Sequence, residues 1–425
     1  MFSLWLAQET PAMQPGDVAW MLIATGLVVL MTPALGFFYG GLVRSKNSLN
    51  TMMMSYVSFG AVGVLWFLLG YSLAFGSGNS WLGGLDLSLL QNVGLEAKGA
   101  IPHLLFAAYQ ATFVIITAAL ISGAVVERMR FGPYLAFIAL WSLVVYGPLA
   151  HWVWGGGWLG TMGALDFAGG TVVHINAGLA AVVAALTLGP RKEYGRQALL
   201  PHNVPMVLLG AALLWFGWFG FNGGSALAAN STAVLAFVNT LLAPCSAMLV
   251  WVLLDLFRTK RATAVGAATA IVVGLVGITP AAGFISPLNA LLLGALVVFP
   301  SYYGILWRSR TRLDDSLDVF AGHGLGGVTG ALLTGIFCQK AWGSPADGLL
   351  FGNPGQLGIQ LLAVVAALVW SAVGTFALLK LIALITPLRA DQRMEGHGLD
   401  VTQHGEEAYS SGEGAILVLT RGSAA

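Results

Sequence analysis

Between Arg261 and Arg308 the chain runs for 46 residues without one Asp, Glu, Lys or Arg, and Gln197 to Leu254 gives another 58. A membrane-crossing helix needs about 20 mostly apolar residues. Each stretch therefore has room for two crossings. Turn-like Ile278-Thr279-Pro280 and Ser286-Pro287 break the first, and the Gly-rich segment Asn222–Ala226 breaks the second. Charged residues make up only 9% of the chain, against roughly 25% in an ordinary soluble domain. A soluble enzyme of this size would lack polar surface, so that class is excluded. A net charge of +1 gives no field to attract nucleic acid. Cys245 and Cys338 lie far apart in apolar runs, with neither a metal-ligand spacing nor a disulfide framework.

The sequence predicts an all-α polytopic membrane protein with eleven transmembrane helices. They fall near 18–39, 52–75, 101–126, 133–152, 170–189, 204–221, 232–257, 263–278, 288–307, 319–337 and 357–386. The basic residues test this count through the positive-inside bias. With the N-terminus outside, inner loops hold Arg44 and Lys46, Arg128 and Arg130, the Arg191–Arg196 group, the Arg258–Arg261 group and the Arg308–Arg312 group. Lys380, Arg389, Arg393 and Arg421 also fall inside. Only Lys98 and Lys340 lie outside, so 17 of 19 obey the rule. Adding or losing one span would scramble that alternation. The expected domains are a transmembrane body over 1–388 and a polar cytoplasmic tail over 389–425. Met1–Gln8 is too short for a secretory signal; either a signal has been removed or the first span inserts unaided. The closing Arg421-Gly-Ser-Ala-Ala resembles vector-derived sequence.

An internal symmetry is visible. Phe38-Tyr39-Gly40-Gly41 ends the first span and Phe221-Asn222-Gly223-Gly224 ends the sixth. Leu165-Asp166-Phe167-Ala168-Gly169 opens the fifth on the way to His174. Leu317-Asp318-Val319-Phe320-Ala321-Gly322-His323 opens the tenth. Five spans followed by five more form an inverted repeat, with halves near 18–190 and 204–337 plus a final helix. In transporters of that design the substrate path lies between the halves, near the midplane.

Ionisable groups inside spans are costly and mark function. His174 and His323 sit at matching places inside uncharged helices, which favours a facing pair on a pore over two separately satisfied core histidines. Without a third ligand they make no metal site. Two neutral imidazoles in a dry passage suit a small hydrogen-bonding molecule, or a cation able to give up its proton; an alkali ion would find too few oxygens. Asp166 is read either as a helix N-cap or as a buried charge favouring a cation. Tyr109, Phe113, Trp154, Trp218 and Phe221 are packing residues by base rate, although clustered aromatic faces also hold cations.

These residues stand in longer runs that resemble the ammonium transporters called Amt, Mep and Rh. The resemblance covers essentially the whole chain, from GDVAWMLIATGLVVLMTPALGFFYGGLVRSKN (16–47) to GLDVTQHGEEAY (398–409). Its most specific stretches are HWVWGGGWLG (151–160), ALDFAGGTVVHINAG (164–178), GWFGFNGGSA (217–226), GITPAAGFI (277–285) and DVFAGHGLGG (318–327). The GFNGGSA and HWVWGGG segments favour the bacterial Amt branch over an Rh-type gas channel. The resemblance implies that Trp154, Ser225 and Phe113 form an outer site recruiting ammonium, with Tyr109 where other members have Phe. Phe113 and Phe221 are then a stacked gate, Asp166 the buried acid beneath the vestibule, and His174 and His323 the twin pore histidines. Trp218 and Thr279 match further pore positions. It also implies a homotrimer in the bacterial inner membrane, no cofactor, a tail packed under the subunits, and regulation by a trimeric PII-type protein at the inner mouth.

The expected function is transport of ammonium, recruited outside, deprotonated and conducted past the histidines. An enzyme is not expected, because no second carboxylate or nucleophile accompanies them. The alternative is an ammonium sensor that signals through its tail or through a fused domain absent from this sequence.

Overall fold

Long apolar segments close their own backbone hydrogen bonds as helices, the solution available to an open chain in hydrocarbon. The computed structural model describes residues 13–409; Met1–Gln8 and the 421–425 segment lie outside them. Among the described residues, ten helices are long and apolar enough to cross a membrane: α1 (Pro15–Leu42), α2 (Ser45–Phe75), α3 (His103–Ala124), α4 (Phe131–Thr161), α5 (Gly170–Leu188), α6 (Val204–Gly224), α7 (Ser231–Thr259), α9 (Pro287–Arg308), α10 (Phe320–Phe337) and α11 (Pro354–Ala383). A shorter apolar helix, α8 (Ala264–Ile278), lies between α7 and α9. A two-residue hairpin, β1 (Ala97–Lys98) and β2 (Ile101–Pro102), lies between α2 and α3.

Two helices depart clearly from the expected boundaries: α4 runs on to Thr161 rather than ending near 152, and α2 begins near Ser45 rather than 52. The polar start of this helix is sheltered by the tail. Asp400 caps it, its carboxylate accepting the Leu49 and Asn50 amides at 3.0 and 2.7 Å, while the Asn47 side chain accepts the Leu399 amide at 2.8 Å. Helix α12 (Gln392–His397) carries the tail beneath the bundle. There Glu395 holds Arg389, which also donates to the carbonyl of Leu188 at the end of α5.

Two antiparallel pairs form the centre. Helix α1 packs along α6: Trp20 donates to the Gly223 carbonyl at one end, and Asn203 donates its amide to Gly41 at the other. Helices α5 and α10 cross at Gly178 and Gly324. Any Cβ on Gly178 would overlap the Gly324 backbone, so two bare backbones are what lets these helices touch. Each carries a short π-helical segment, Gly170–Ile175 and Phe320–Leu325, and each segment holds a histidine. The wider turn of a π segment re-aims the side chains around it.

Candidate functional site

The bundle has two distinct ends. One, the vestibule end, gathers Trp154, Ser225 and the start of α5; the other, the tail end, gathers the 389–409 segment and the basic loops.

At the vestibule end, Asp166 precedes α5. Its Oδ1 accepts the Gly169 and Gly170 amides at 2.9 and 2.6 Å, and its Oδ2 accepts those of Thr171 and Val172 at 2.9 and 3.0 Å. All four orphan amides of the helix start are thereby met by one buried carboxylate. Gly169 makes this possible: its φ of +112° is a left-handed geometry that disfavours a side chain. The Asp166 carbonyl accepts the Trp154 indole N–H at 2.8 Å, tying the acid to the aromatic wall.

Phe113 stands edge-on to Trp154 with ring centroids 6.0 Å apart, and stacks on Phe221 at 4.2 Å with 19° between planes. The Ser225 hydroxyl donates to the Phe221 carbonyl at 2.8 Å and leaves lone pairs at the rim. Tyr109 is fully buried. Its hydroxyl sits 3.0 and 2.8 Å from the Gly220 and Phe221 carbonyls and 3.3 Å from Ser225 Oγ, so its proton is committed to the backbone that carries the Phe stack.

Below that stack lies a narrow apolar cavity of about 10 Å3, room for roughly one water-sized molecule, lined by Met31, Leu35, Ile116, Leu214 and Trp218 and reaching both histidines. The His174 and His323 Nδ1 atoms are 3.2 Å apart. His174 lies nearly parallel to Trp218, with centroids 5.4 Å apart, and Trp218 donates to Thr279 Oγ1 at 2.9 Å. One Nδ1 must donate to the other, so the donor ring keeps a bare Nε2 and the acceptor ring carries an Nε2–H. The pair thus offers one acceptor and one donor, whichever way the proton sits. His174 Nε2 is buried without a partner. His323 also lines a wider cavity, about 350 Å3, opening at the tail end past Arg191, Arg308 and Asp318.

Three features were not read from the sequence. Asp318 is not the counterpart of Asp166: it sits in left-handed backbone, φ 58°, and pairs with Arg308. Asp315 takes that role, buried, with Oδ2 accepting the Phe320 amide at 2.7 Å. The tail-end loops also conceal a charge chain. Arg44 and Arg191 both reach Glu127, at 3.1 and 2.8 Å, and Arg191 reaches Asp314 at 2.8 Å. Burial alone would raise both carboxyls, but Arg191 with Arg44 on Glu127, and Arg191 with Arg128 on Asp314, outweigh it and hold them below the usual range. Arg128, wholly buried, spends its donors on the Gly189 and Asp314 carbonyls and on Ser316. Glu127 follows α3, Arg191 follows α5 and Asp314 precedes α10, so the network clamps three helices.

The sequence profile of the Ammonium Transporter Family matches residues 19–409. The chain belongs to that family. The ammonium transporter of Bacillus subtilis (strain 168) is 46% identical over 93% of this chain and 99% of its own. That of Aquifex aeolicus (strain VF5) is 45% identical over 96% and 97%. Among solved structures, Saccharomyces cerevisiae Mep2 superposes with a TM-score of 0.87 at 36% identity, covering 96% of this chain and 94% of that one. A structure titled Sensor Amt Protein gives 0.86 at 31% identity, over 92% and 98%. Membership makes this a membrane transport protein with ammonium as its substrate class.

Proposed function

We propose that the protein is an ammonium transporter that crosses a bacterial inner membrane eleven times, N-terminus outside and C-terminus inside, with two inverted five-helix halves, a final helix and a cytoplasmic tail after 388. The vestibule end faces outward. There Trp154 and Phe113 offer aromatic faces and Ser225 a hydroxyl acceptor, suiting a small cation that can donate hydrogen bonds. The stacked Phe113 and Phe221 close the way below, and Tyr109 steadies the backbone behind them. Asp166 shapes the start of α5 and lends its charge to the vestibule.

Ammonium gives up a proton before entering the apolar passage, because an ion there would lose its hydration without replacement. Ammonia, with three N–H donors and one lone pair, then meets an imidazole acceptor and an imidazole donor, with Trp218 and Thr279 fixing the ring behind His174. The abstracted proton travels separately. The observation that carries this reading is the 3.2 Å His174–His323 contact at the foot of a cavity with almost no polar lining. The subunits form a homotrimer with one pore each, and a PII-type protein closing the inner mouth fits the family resemblance.

Charge currents from purified protein on solid-supported membranes test the reading: an ammonium jump should give a transient that an equal potassium jump does not. Ammonium binding without any current or uptake would instead favour the sensor reading.

A further inference from the structure

The hairpin between α2 and α3 places a lysine where a free cation would sit. Lys98 Nζ lies 5.0 Å from the Phe106 ring centroid, 5.8 Å from that of Tyr71 and 5.9 Å from that of Phe75. The three rings brace one another: Phe75 meets Phe106 edge-on at 5.1 Å and tilts against Tyr71 at 5.5 Å. A fourth wall is His103, whose Nε2 is 3.4 Å from Lys98 Nζ and 2.7 Å from the Tyr71 hydroxyl, while its Nδ1 is 3.3 Å from Glu96. The tautomer follows from these partners. Nδ1 carries the proton toward Glu96, and Nε2 is left as an acceptor that takes the Tyr71 hydroxyl proton at 2.7 Å with Lys98 as a longer second donor at 3.4 Å, since Lys98 can only donate.

No carboxylate lies within ion-pair distance of Lys98 among the described residues, because Glu96 is turned to His103. Burial pulls the Lys98 ammonium below the usual lysine range, with Asp86 acting in the opposite direction. A half-buried ammonium held by three π faces, with a nitrogen lone pair that it shares with the Tyr71 hydroxyl, is the chemistry by which proteins recognise ammonium-type cations. It repeats the vestibule's combination of aromatic faces with one hydrogen-bond acceptor. The occupant is carried on a two-residue hairpin that turns at Gly99 and Ala100.

We propose that Tyr71, Phe75, Phe106 and His103 Nε2 form a second cation site at the vestibule end, occupied at rest by the chain's own Lys98 and open to ammonium or a primary alkylammonium when Lys98 withdraws. Lys98 is an internal competitor: it keeps the box filled when external cation is scarce. The site is separate from the Trp154–Ser225 vestibule and does not depend on how the pore conducts.

The test is equilibrium dialysis of radiolabelled methylammonium against purified protein. Lys98→Ala empties the box and should raise saturable binding by one methylammonium per subunit over the parent, displaceable by ammonium. Lys98→Arg, which keeps a cation on the hairpin, should bind no more than the parent. Adding Phe106→Leu to Lys98→Ala removes one π face at similar volume and should abolish the gain. Equal stoichiometry in the parent and in Lys98→Ala overturns the proposal. So does a gain that Lys98→Arg shares, or one that survives Phe106→Leu.

Discussion

Asp315 stands to His323 as Asp166 stands to His174: each buried carboxylate lies eight residues before its histidine and holds the backbone that opens the helix carrying it. The two are not equivalent in load. Both oxygens of Asp166 are filled by four amides, whereas Asp315 Oδ1 is buried without a partner. Capping Asp residues fix where the π segments begin, and so where the two rings meet.

The Asp166 bond pattern changes what an Asn substitution tests. Asn has one acceptor oxygen and one donor nitrogen, so Asp166→Asn leaves two of the four amides facing an N–H group. Each orphan costs roughly 1–3 kcal/mol. The variant should lose most methylammonium uptake and also melt at lower temperature in detergent. Loss of uptake with an unchanged melting profile would mean that the charge acts on the substrate and not through the cap. Wild-type uptake would remove Asp166 from function altogether.

Much of the fold follows from long uncharged runs, because hydrophobic length and loop charge are local properties. What escaped was pairing between distant residues. Asp314, Asp315 and Asp318 lie within one short loop, and only folding shows which meets Arg191, which caps α10 and which meets Arg308. Glu127 reads as one more loop charge until Arg44 and Arg191 are seen on either side of it. The matching of Asp318 with Asp166 failed by three residues for the same reason: a motif match counts letters, while a cap is defined by which carboxylate reaches the free amides. The histidines were legible because an ionisable side chain inside an apolar helix needs a partner, and each supplies the other's.

The Gly178–Gly324 crossing can be tested directly. Gly178→Ala forces α5 away from α10 at the level of the two rings, an overpacking cost of about 1–3 kcal/mol. Uptake should fall severely. Gly358→Ala is the control: it is exposed on α11 and a Cβ there meets nothing within 4 Å, so uptake should stay near the parent's. Equal effects from the two variants would show that close approach at Gly178 is not needed.

Phe221→Ala removes one member of a stack whose centroids are 4.2 Å apart while leaving Tyr109, Phe113 and Trp218 in place. The oligomer should still assemble, and selectivity should degrade, seen as leak current or as methylammonium passing relatively faster than ammonium. A variant that no longer assembles would make Phe221 a packing residue first.

Acid should loosen the tail end before the rest. Glu127 and Asp314 are held below the usual carboxylate range, so the unfolded chain takes up protons on them at higher pH than the folded one. Their contribution is complete above about pH 4.5 and is lost as pH falls through about 4 and below. Glu127→Gln should lower the melting temperature at pH 7 and flatten that acid dependence, because Arg191 and Arg44 lose a shared charge. An unchanged pH profile in Glu127→Gln would show that the acid loss arises elsewhere.

On the proposed function, the histidine pair bears on what the pore refuses. Two imidazoles sharing one proton at 3.2 Å present a donor and an acceptor but no fixed negative charge. Potassium gains nothing there to replace its water, while ammonia gains hydrogen bonds on both sides. His174→Asp places a carboxylate at the top of the pair and His323→Glu places one at the bottom, beside the wider tail-end cavity. Either substitution gives a bare cation a partner inside the passage. Both variants should therefore carry potassium currents that the parent does not, and His174→Asp should do so more strongly because its site adjoins the Phe stack through which the ion enters. The measurement is the ratio of potassium to ammonium current in the same proteoliposomes, with Gly358→Ala as a variant of ordinary selectivity. A His174→Asp protein that conducts ammonium while rejecting potassium as well as the parent does would remove the histidines from selectivity and leave the discrimination with the Phe113–Phe221 stack above them.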